Sequence, residues 1–174
     1  FALNSPEIIF ATMIRDDLFE VMWELVGDRN KIVRNAAKEA LEEILVLVSQ
    51  RESVYKYIRL ALVKVNDGLH TNLSLSSSSS SSSILSSKDN ERVVGALLIY
   101  NIMLNGRVVP TSELISIMKE MDMLVEESIS QVLLRRTSKN SAVRSIVIEL
   151  IPILARAFGH IFLQIIPFSQ PKTI

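Results

Sequence analysis

Apolar residues recur every three or four positions along nearly the whole chain, the spacing that places them on one face of an α-helix. No segment alternates convincingly with period two, as a half-buried strand would. The sequence therefore predicts an all-α fold with almost no strand. The clearest helix is predicted from Lys31 to Gln50, with one face holding Val33, Ala37, Ala40, Leu41, Ile44, Leu45 and Val48.

Start and stop signals divide the chain into seven or eight helices joined by mostly short turns. Pro6 is a start signal for the first helix, and Gly27 ends it. Gly68 is expected to end the third helix in the left-handed conformation. Asn105 and Gly106 mark a turn. The later predicted helices cover residues 53–67, 90–105, 111–120, 122–136, 140–158 and 161–166.

A serine run interrupts this pattern. Residues 76–83 are all serine, within the polar stretch from Thr71 to Asn90. Such a stretch buries too little apolar surface to offset the entropy lost on ordering. We expect a mobile loop inserted between two helices, because long surface insertions cost little stability. A loop regulated by phosphorylation is the alternative.

Composition argues against several classes of function. Nineteen basic residues balance nineteen acidic ones without forming a block of either sign, so a surface for nucleic acid or anionic lipid is not expected. The absence of cysteine excludes disulfides, thiolate metal sites and a cysteine nucleophile. The chain opens on Phe1 without a basic and then apolar leader. We therefore expect no secretory signal and interpret the sequence as part of a longer protein.

No combination of residues predicts an active site. The five glycines are scattered, so neither a phosphate-cradling loop nor a kinase glycine-rich loop is predicted. The only histidines are His70 and His160, and no carboxylate spacing suggests a metal site with either. Adjacent acids such as Glu42 and Glu43 point about 100° apart on a helix and are expected on solvated faces. No catalytic residue, cofactor or metal is assigned.

The apolar segment from Ile146 to Phe168 is about as long as a bilayer span. Glu149, Arg156 and His160 divide it, and an arginine near the middle of a membrane costs about 2.5 kcal/mol or more. We therefore expect a buried helix, a turn and a second short helix instead of a membrane span.

Three predicted helix openings are related in sequence. They are DRNKIVRNAAKEAL from Asp28, DNERVVGALLIYNI from Asp89 and SKNSAVRSIVIELI from Ser138. In each, an Asp or Ser precedes a valine by five residues and can accept hydrogen bonds from the free N–H groups of the helix start. The valine is expected to face a partner helix. These valines are Val33, Val94 and Val143.

The first opening resembles the inner helix of a HEAT repeat. The residues that carry the resemblance are Asp28, Val33, Arg34, Ala37 and Leu41. It implies that the aspartate and the arginine form a ladder between neighbouring units. Arg144 repeats the basic position in the third opening, whereas Gly95 stands there in the second. A solvated arginine on a polar face is the alternative for Arg34 and Arg144.

The succession of phrases along the chain resembles the amino-terminal HEAT region of the TOR family of serine/threonine kinases, which are related to phosphatidylinositol 3-kinase. The phrases are SQRE from Ser49, GALLI from Gly95, SKNS from Ser138 and LIP from Leu150. The resemblance implies an α-α superhelix of about three helix pairs plus a short C-terminal helix. The implied repeats are residues 6–50, 53–105 with the serine loop at 71–89, and 111–158, followed by the start of another helix at 160–174.

The function implied by this resemblance is that of a non-catalytic scaffold and docking segment in a nutrient-responsive kinase, with the catalytic domain outside this sequence. The implied partners are neighbouring HEAT repeats, a Raptor-like scaffold subunit and a second TOR protomer. The implied location is the cytoplasm, with peripheral association with endomembranes. A HEAT adaptor of another class, such as a transport receptor or a phosphatase scaffold, is the alternative.

The first helix carries two apolar faces. The second face is formed by Phe19 and Trp23, together with Val26. This face either packs against a preceding repeat or anchors a partner protein, a role in which tryptophan is enriched. In both cases Trp23 is expected to be exposed. The main stripe is expected to be Phe10, Ile14, Leu18, Val21 and Leu25.

Overall fold

The computed structural model describes residues 16–49, 54–71 and 87–166, and within these ranges it contains seven α-helices and no strand. The all-α prediction is confirmed. A 3-10 turn, Arg135–Thr137, follows the sixth helix. Pro6, Phe10, Ile14 and the serine run lie outside the described residues. The helices are α1 Asp16–Val26, α2 Lys31–Ser49, α3 Val54–His70, α4 Ser87–Leu104, α5 Thr111–Glu120, α6 Val125–Leu134 and α7 Ser141–Ile165.

The predicted helix boundaries are mostly correct to within a few residues. The turn at Asn105 and Gly106 is confirmed, and Gly106 adopts a φ of 72°. The fourth helix begins earlier than predicted, at Ser87, and α6 is shorter than predicted because Asp122 has a φ of 54° and stands outside it.

The helix α2 buries most of the face that its sequence predicts. The periodic spacing is correct because this face packs on α1 and α3. The prediction fails at Val33, which is half-buried, and at Ala40, which is exposed. The buried residues are Ala37, Leu41, Ile44, Leu45 and Val48.

The orientation predicted for α1 is wrong. Phe19, expected on the outward flank, is 2% exposed, and its ring lies 5.9 Å from that of Tyr57. Val26, on the same flank, is also buried, whereas Val21 of the expected main stripe is 51% exposed. Both faces are apolar, so the helical spacing alone could not select between them. The packing of α1 on α2 and α4 selects the flank with the aromatic residues.

The helix α4 lies at the centre of the described structure. Every residue from Val93 to Leu104 is buried, because α1, α2, α3 and α7 all pack against this helix. A helix surrounded in this way needs apolar or small residues on all its faces. The segment GALLIYNIML meets that requirement.

Small residues permit the close approach of α4 to its neighbours. Gly68 does not end a helix as predicted, since α3 continues to His70. A Cβ atom on Gly68 would lie 2.5 Å from the Cβ of Ala96, and a Cβ on Gly27 would lie 2.7 Å from the carbonyl oxygen of Glu91. The glycines at 27 and 68 therefore serve helix packing more than chain reversal, and Gly95 faces Gly27 across the same contact.

The helix α7 is bent at Gly159, whose φ of 39° and ψ of −102° interrupt the helical backbone. This bend agrees with the prediction of a long helix followed by a turn and a short helix. By length and composition alone α7 could cross a membrane, although core helices of soluble proteins share these properties. In its most apolar 18-residue stretch, 33% is buried inside the structure.

Ion pairs link helices that are not consecutive in the chain. Glu20 of α1 and Lys64 of α3 are 2.8 Å apart, and Arg59 of α3 pairs with Glu120 at the end of α5. In the turn after α4, Arg107 donates to the adjacent carboxylates of α2 that were expected on a solvated face. Its distances are 2.9 Å to Glu42 Oε1 and 3.0 Å to Glu43 Oε1.

Candidate functional site

The turn before α2 is built on an asparagine cap. The side-chain oxygen of Asn30 accepts a hydrogen bond from the N–H of Ile32 at 2.9 Å. Asp28, predicted to cap the helix, instead accepts from the N–H of Asn30 at 2.6 Å. The aspartate therefore holds the cap residue, and the asparagine satisfies the helix start. The cap prediction was wrong by two residues.

Arg34 closes this turn from within the helix. Its Nη1 donates to the carbonyl oxygens of Asp28 at 2.7 Å and Arg29 at 2.8 Å. These carbonyls precede the helix and would otherwise need water or another donor. We call residues 28–34 the first arginine turn.

The turn before α7, residues 138–144, has the same hydrogen bonds, and we call it the second arginine turn. Asn140 accepts from the N–H groups of Ala142 at 2.9 Å and Val143 at 3.4 Å. Ser138 accepts from the N–H of Asn140 at 3.2 Å. Nη1 of Arg144 donates to the carbonyls of Ser138 at 2.6 Å and Lys139 at 2.9 Å. The related sequences thus form the same local structure.

These contacts give the two arginines a role that neither expectation described. A ladder would require each arginine to reach the aspartate of a neighbouring unit, and a solvated arginine would make no fixed contact. In the part of the chain that the structure describes, Arg34 and Arg144 bind carbonyls of their own turns instead. The carbonyls are within reach because each arginine lies one helical turn after the cap.

The middle opening is different. Asp89 lies inside the first turn of α4, and Gly95 replaces the arginine. Glu91 of α4 instead pairs with Arg29 of the first arginine turn and accepts a hydrogen bond from the Ser87 hydroxyl at 3.1 Å. The Arg29 guanidinium lowers the pKa of the Glu91 carboxyl. The start of α4 therefore carries an ion pair with Arg29 in place of the hydrogen bonds of an arginine turn.

The first residues of α2, α4 and α7 lie together. The two arginine turns and the start of α4 line one cleft, which includes Arg34, Glu91 and Asn140. The three helices with related openings thus begin at the same edge of the structure.

A second cleft, with a volume of about 520 Å³, lies where α1, α3 and α4 meet. We call it the Trp23 cleft, and its lining includes Trp23, Arg29, Lys64, Lys88, Glu91 and Arg92. Trp23 is half-buried, and Nζ of Lys64 lies 5.9 Å from the centre of its ring. The expected exposure of Trp23 is therefore only partly met. Tryptophan and arginine, which both line this cleft, are among the residue types enriched at protein–protein interfaces.

A group of charged side chains around His70, at the end of α3, was not predicted as a site. His70 contacts Glu127 of α6, and Arg135 donates to the carbonyls of Leu69 and Thr71, the latter at 3.2 Å. Burial lowers the pKa of Arg135. These contacts join residues 57 to 66 positions apart in the sequence, and no motif connects them. Only the packing of α3 on α6 brings them together.

Among the described residues, no group of three or more His, Cys, Asp or Glu side chains could hold a metal ion. No family model matches the sequence, and neither a curated protein nor a solved structure matches it.

Proposed function

We propose that the chain is a segment of a HEAT-type solenoid that acts as a non-catalytic scaffold and docking segment in a TOR-like serine/threonine kinase. The observation that carries the proposal is the arginine turn, which occurs twice with the same hydrogen bonds. A repeated turn before equivalent helices is expected of a repeat protein, in which each unit contacts its neighbours along one dimension.

The positions of the helices support an array. In this interpretation α2, α4 and α7 form one layer, and their first residues line a common cleft. The other layer contains α1, α3 and α5, linked by the ion pairs Glu20–Lys64 and Arg59–Glu120. Pairing α1 with α2 and α3 with α4 agrees with the contacts between those helices.

Exposed apolar residues support neighbouring units on both sides. At the α1 end Val21 and Ile32 face solvent, and Ile148 and Leu163 do so on α7. Each helix pair of a solenoid leaves one face for the next pair, so such residues are expected at the ends of a segment. In the proposed parent chain, adjacent repeats cover them.

The partners are proposed from the TOR resemblance. They are a Raptor-like scaffold subunit and a second TOR protomer, with the segment in the cytoplasm. The Trp23 cleft is the surface that we propose for docking, because its tryptophan and charged rim have the composition of a binding site. Catalysis is assigned to a domain elsewhere in the parent chain.

The proposal is tested by the length of the native polypeptide. An antibody raised against residues 28–52 is used to probe a denaturing gel of source-cell lysate. A chain many times longer than 174 residues that co-purifies with protein kinase activity is expected. A chain of only a few repeats would reject the kinase assignment and favour the HEAT adaptor. Pre-incubation of the antibody with the peptide should abolish the band and is the control.

A further inference from the structure

We propose that His70 and Glu127 form a proton-dependent latch between α3 and α6: the imidazolium ion ties the last turn of α3 to the first turn of α6, and loss of its proton weakens that tie. The proposal concerns the described helices alone and does not depend on the TOR resemblance or on a repeat array.

Both ring nitrogens of His70 face hydrogen-bond acceptors. Nδ1 lies 2.8 Å from the carbonyl oxygen of Asn66, one turn earlier in α3. Nε2 lies 3.0 Å from Oε1 of Glu127. A backbone carbonyl can only accept hydrogen bonds, and the same is true of an ionised carboxylate.

The neutral ring cannot satisfy this arrangement. Neutral imidazole carries one N–H, so one nitrogen would direct its lone pair at an oxygen, whichever tautomer forms. The imidazolium ion has two N–H groups and donates to Asn66 and Glu127 at once. The same geometry therefore gives two attractive contacts in the charged form and only one in the neutral form.

The charged groups around His70 oppose one another. Glu127 of α6 and the carbonyls at the C-terminal end of α3 favour the cation. Arg135, in the 3-10 turn after α6, disfavours it by charge repulsion. The hydrogen bond to Glu127 is the larger effect and raises the pKa of His70 above its ordinary value of 6.5. The ring therefore keeps its proton to a higher pH than a free imidazole does.

Arg135 limits the structural effect of losing the His70 proton. Its guanidinium holds the carbonyls of Leu69 and Thr71 and stays charged at every physiological pH. Loss of the His70 proton therefore weakens one tie, at the end of α3, while the permanent one remains. The expected motion is fraying of the last turn of α3 away from α6, and not separation of the two helices.

The test is a titration of the histidine side chains by two-dimensional NMR of the folded chain. Only His70 and His160 contribute signals, and His70→Gln assigns them. We expect His70 to titrate above 6.5 and Glu127→Gln to lower that midpoint. Glu126→Gln removes the same charge from the neighbouring residue and is the matched control, with a clearly smaller effect expected. Equal effects of the two variants would overturn the latch.

A second measurement reports how firmly the last turn of α3 is held. Amide exchange of residues 67–71 is compared well below and well above the titration midpoint that NMR measures for His70. After correction for the intrinsic pH dependence, we expect protection to fall several-fold with rising pH in the native chain and to stay constant in His70→Gln. Protection that is independent of pH in both proteins would overturn the proposal even if the midpoint of His70 were raised.

Discussion

The helices α4 and α7 open with related sequences and end in different surroundings. Val94 and Val143 are equivalent and both buried. Five residues later, Ile99 of α4 is 0% exposed and Ile148 of α7 is 66% exposed. α4 has neighbours on every side, whereas α7 buries only one stripe of residues at helical spacing. A helix rich in apolar residues is therefore not always a helix with many neighbours.

The residue after the equivalent valine also differs between the two helices. Gly95 lets the backbone of α4 approach Gly27, where a Cβ atom on Gly95 would lie 3.4 Å from the Gly27 Cα. Arg144 occupies the same position in α7 and binds the carbonyls of its own turn. One position thus serves close packing in one helix and a local turn in the other.

The largest expected effect is that of Gly95→Arg, which gives α4 the residue found in the two arginine turns. Gly95 is buried and a side chain there already contacts Gly27 at its first carbon, so the long cationic side chain must displace packed neighbours, and we expect a loss of about 4 kcal/mol or more in the free energy of unfolding. Urea unfolding followed by circular dichroism measures it. Ser145→Arg, one residue beyond Arg144 on the exposed side of α7, is the control and should change stability by less than about 0.5 kcal/mol.

The second prediction compares Ile99→Ala with Ile148→Ala. The first leaves a cavity in the centre of the structure and should cost about 2–5 kcal/mol. The second removes an exposed side chain and should cost less than about 0.5 kcal/mol. Equal losses, measured by the same urea unfolding, would mean that α7 is covered in solution and that the contrast with α4 is an error.

The third prediction concerns Arg34→Ala and Arg144→Ala. Each variant removes two hydrogen bonds to backbone carbonyls, and we expect a loss of roughly 1–2 kcal/mol in each case. Arg136→Ala is the control, because Arg136 is exposed. Thermal unfolding measures the three variants. A loss at Arg34 without one at Arg144 would contradict the equivalence of the two turns.

The smallest expected effect is the pH dependence that His70 gives to stability. Its pKa is raised in the folded chain, so its stabilising contribution is complete below the unfolded pKa of about 6.5 and disappears as pH rises through the folded pKa. The native chain should therefore exceed His70→Gln in stability at about pH 6 by less than about 1 kcal/mol, since the pair is partly exposed. A difference that grows with pH would have the opposite sign and reject the assignment.

Several features follow from the sequence. The helical period, the turn at Gly106 and the buried face of α2 depend on local spacing, and the structure agrees with each. The related openings at Asp28 and Ser138 also predicted a shared structure, which the two arginine turns provide. Their cap residues, Asn30 and Asn140, could have been found from the same alignment, since both openings place asparagine at the same position.

Other features depend on which helices meet. The sequence of α1 offers two apolar faces, and only its neighbours place Phe19 inside and Val21 outside. Gly68 has the residue type of a helix end, yet the approach of Ala96 gives it a packing role. His70 and Glu127 become partners only after α3 and α6 pack. Periodicity and capping act over a few residues and can be read from sequence, whereas burial and pairing depend on distances between helices, which the tertiary structure alone determines.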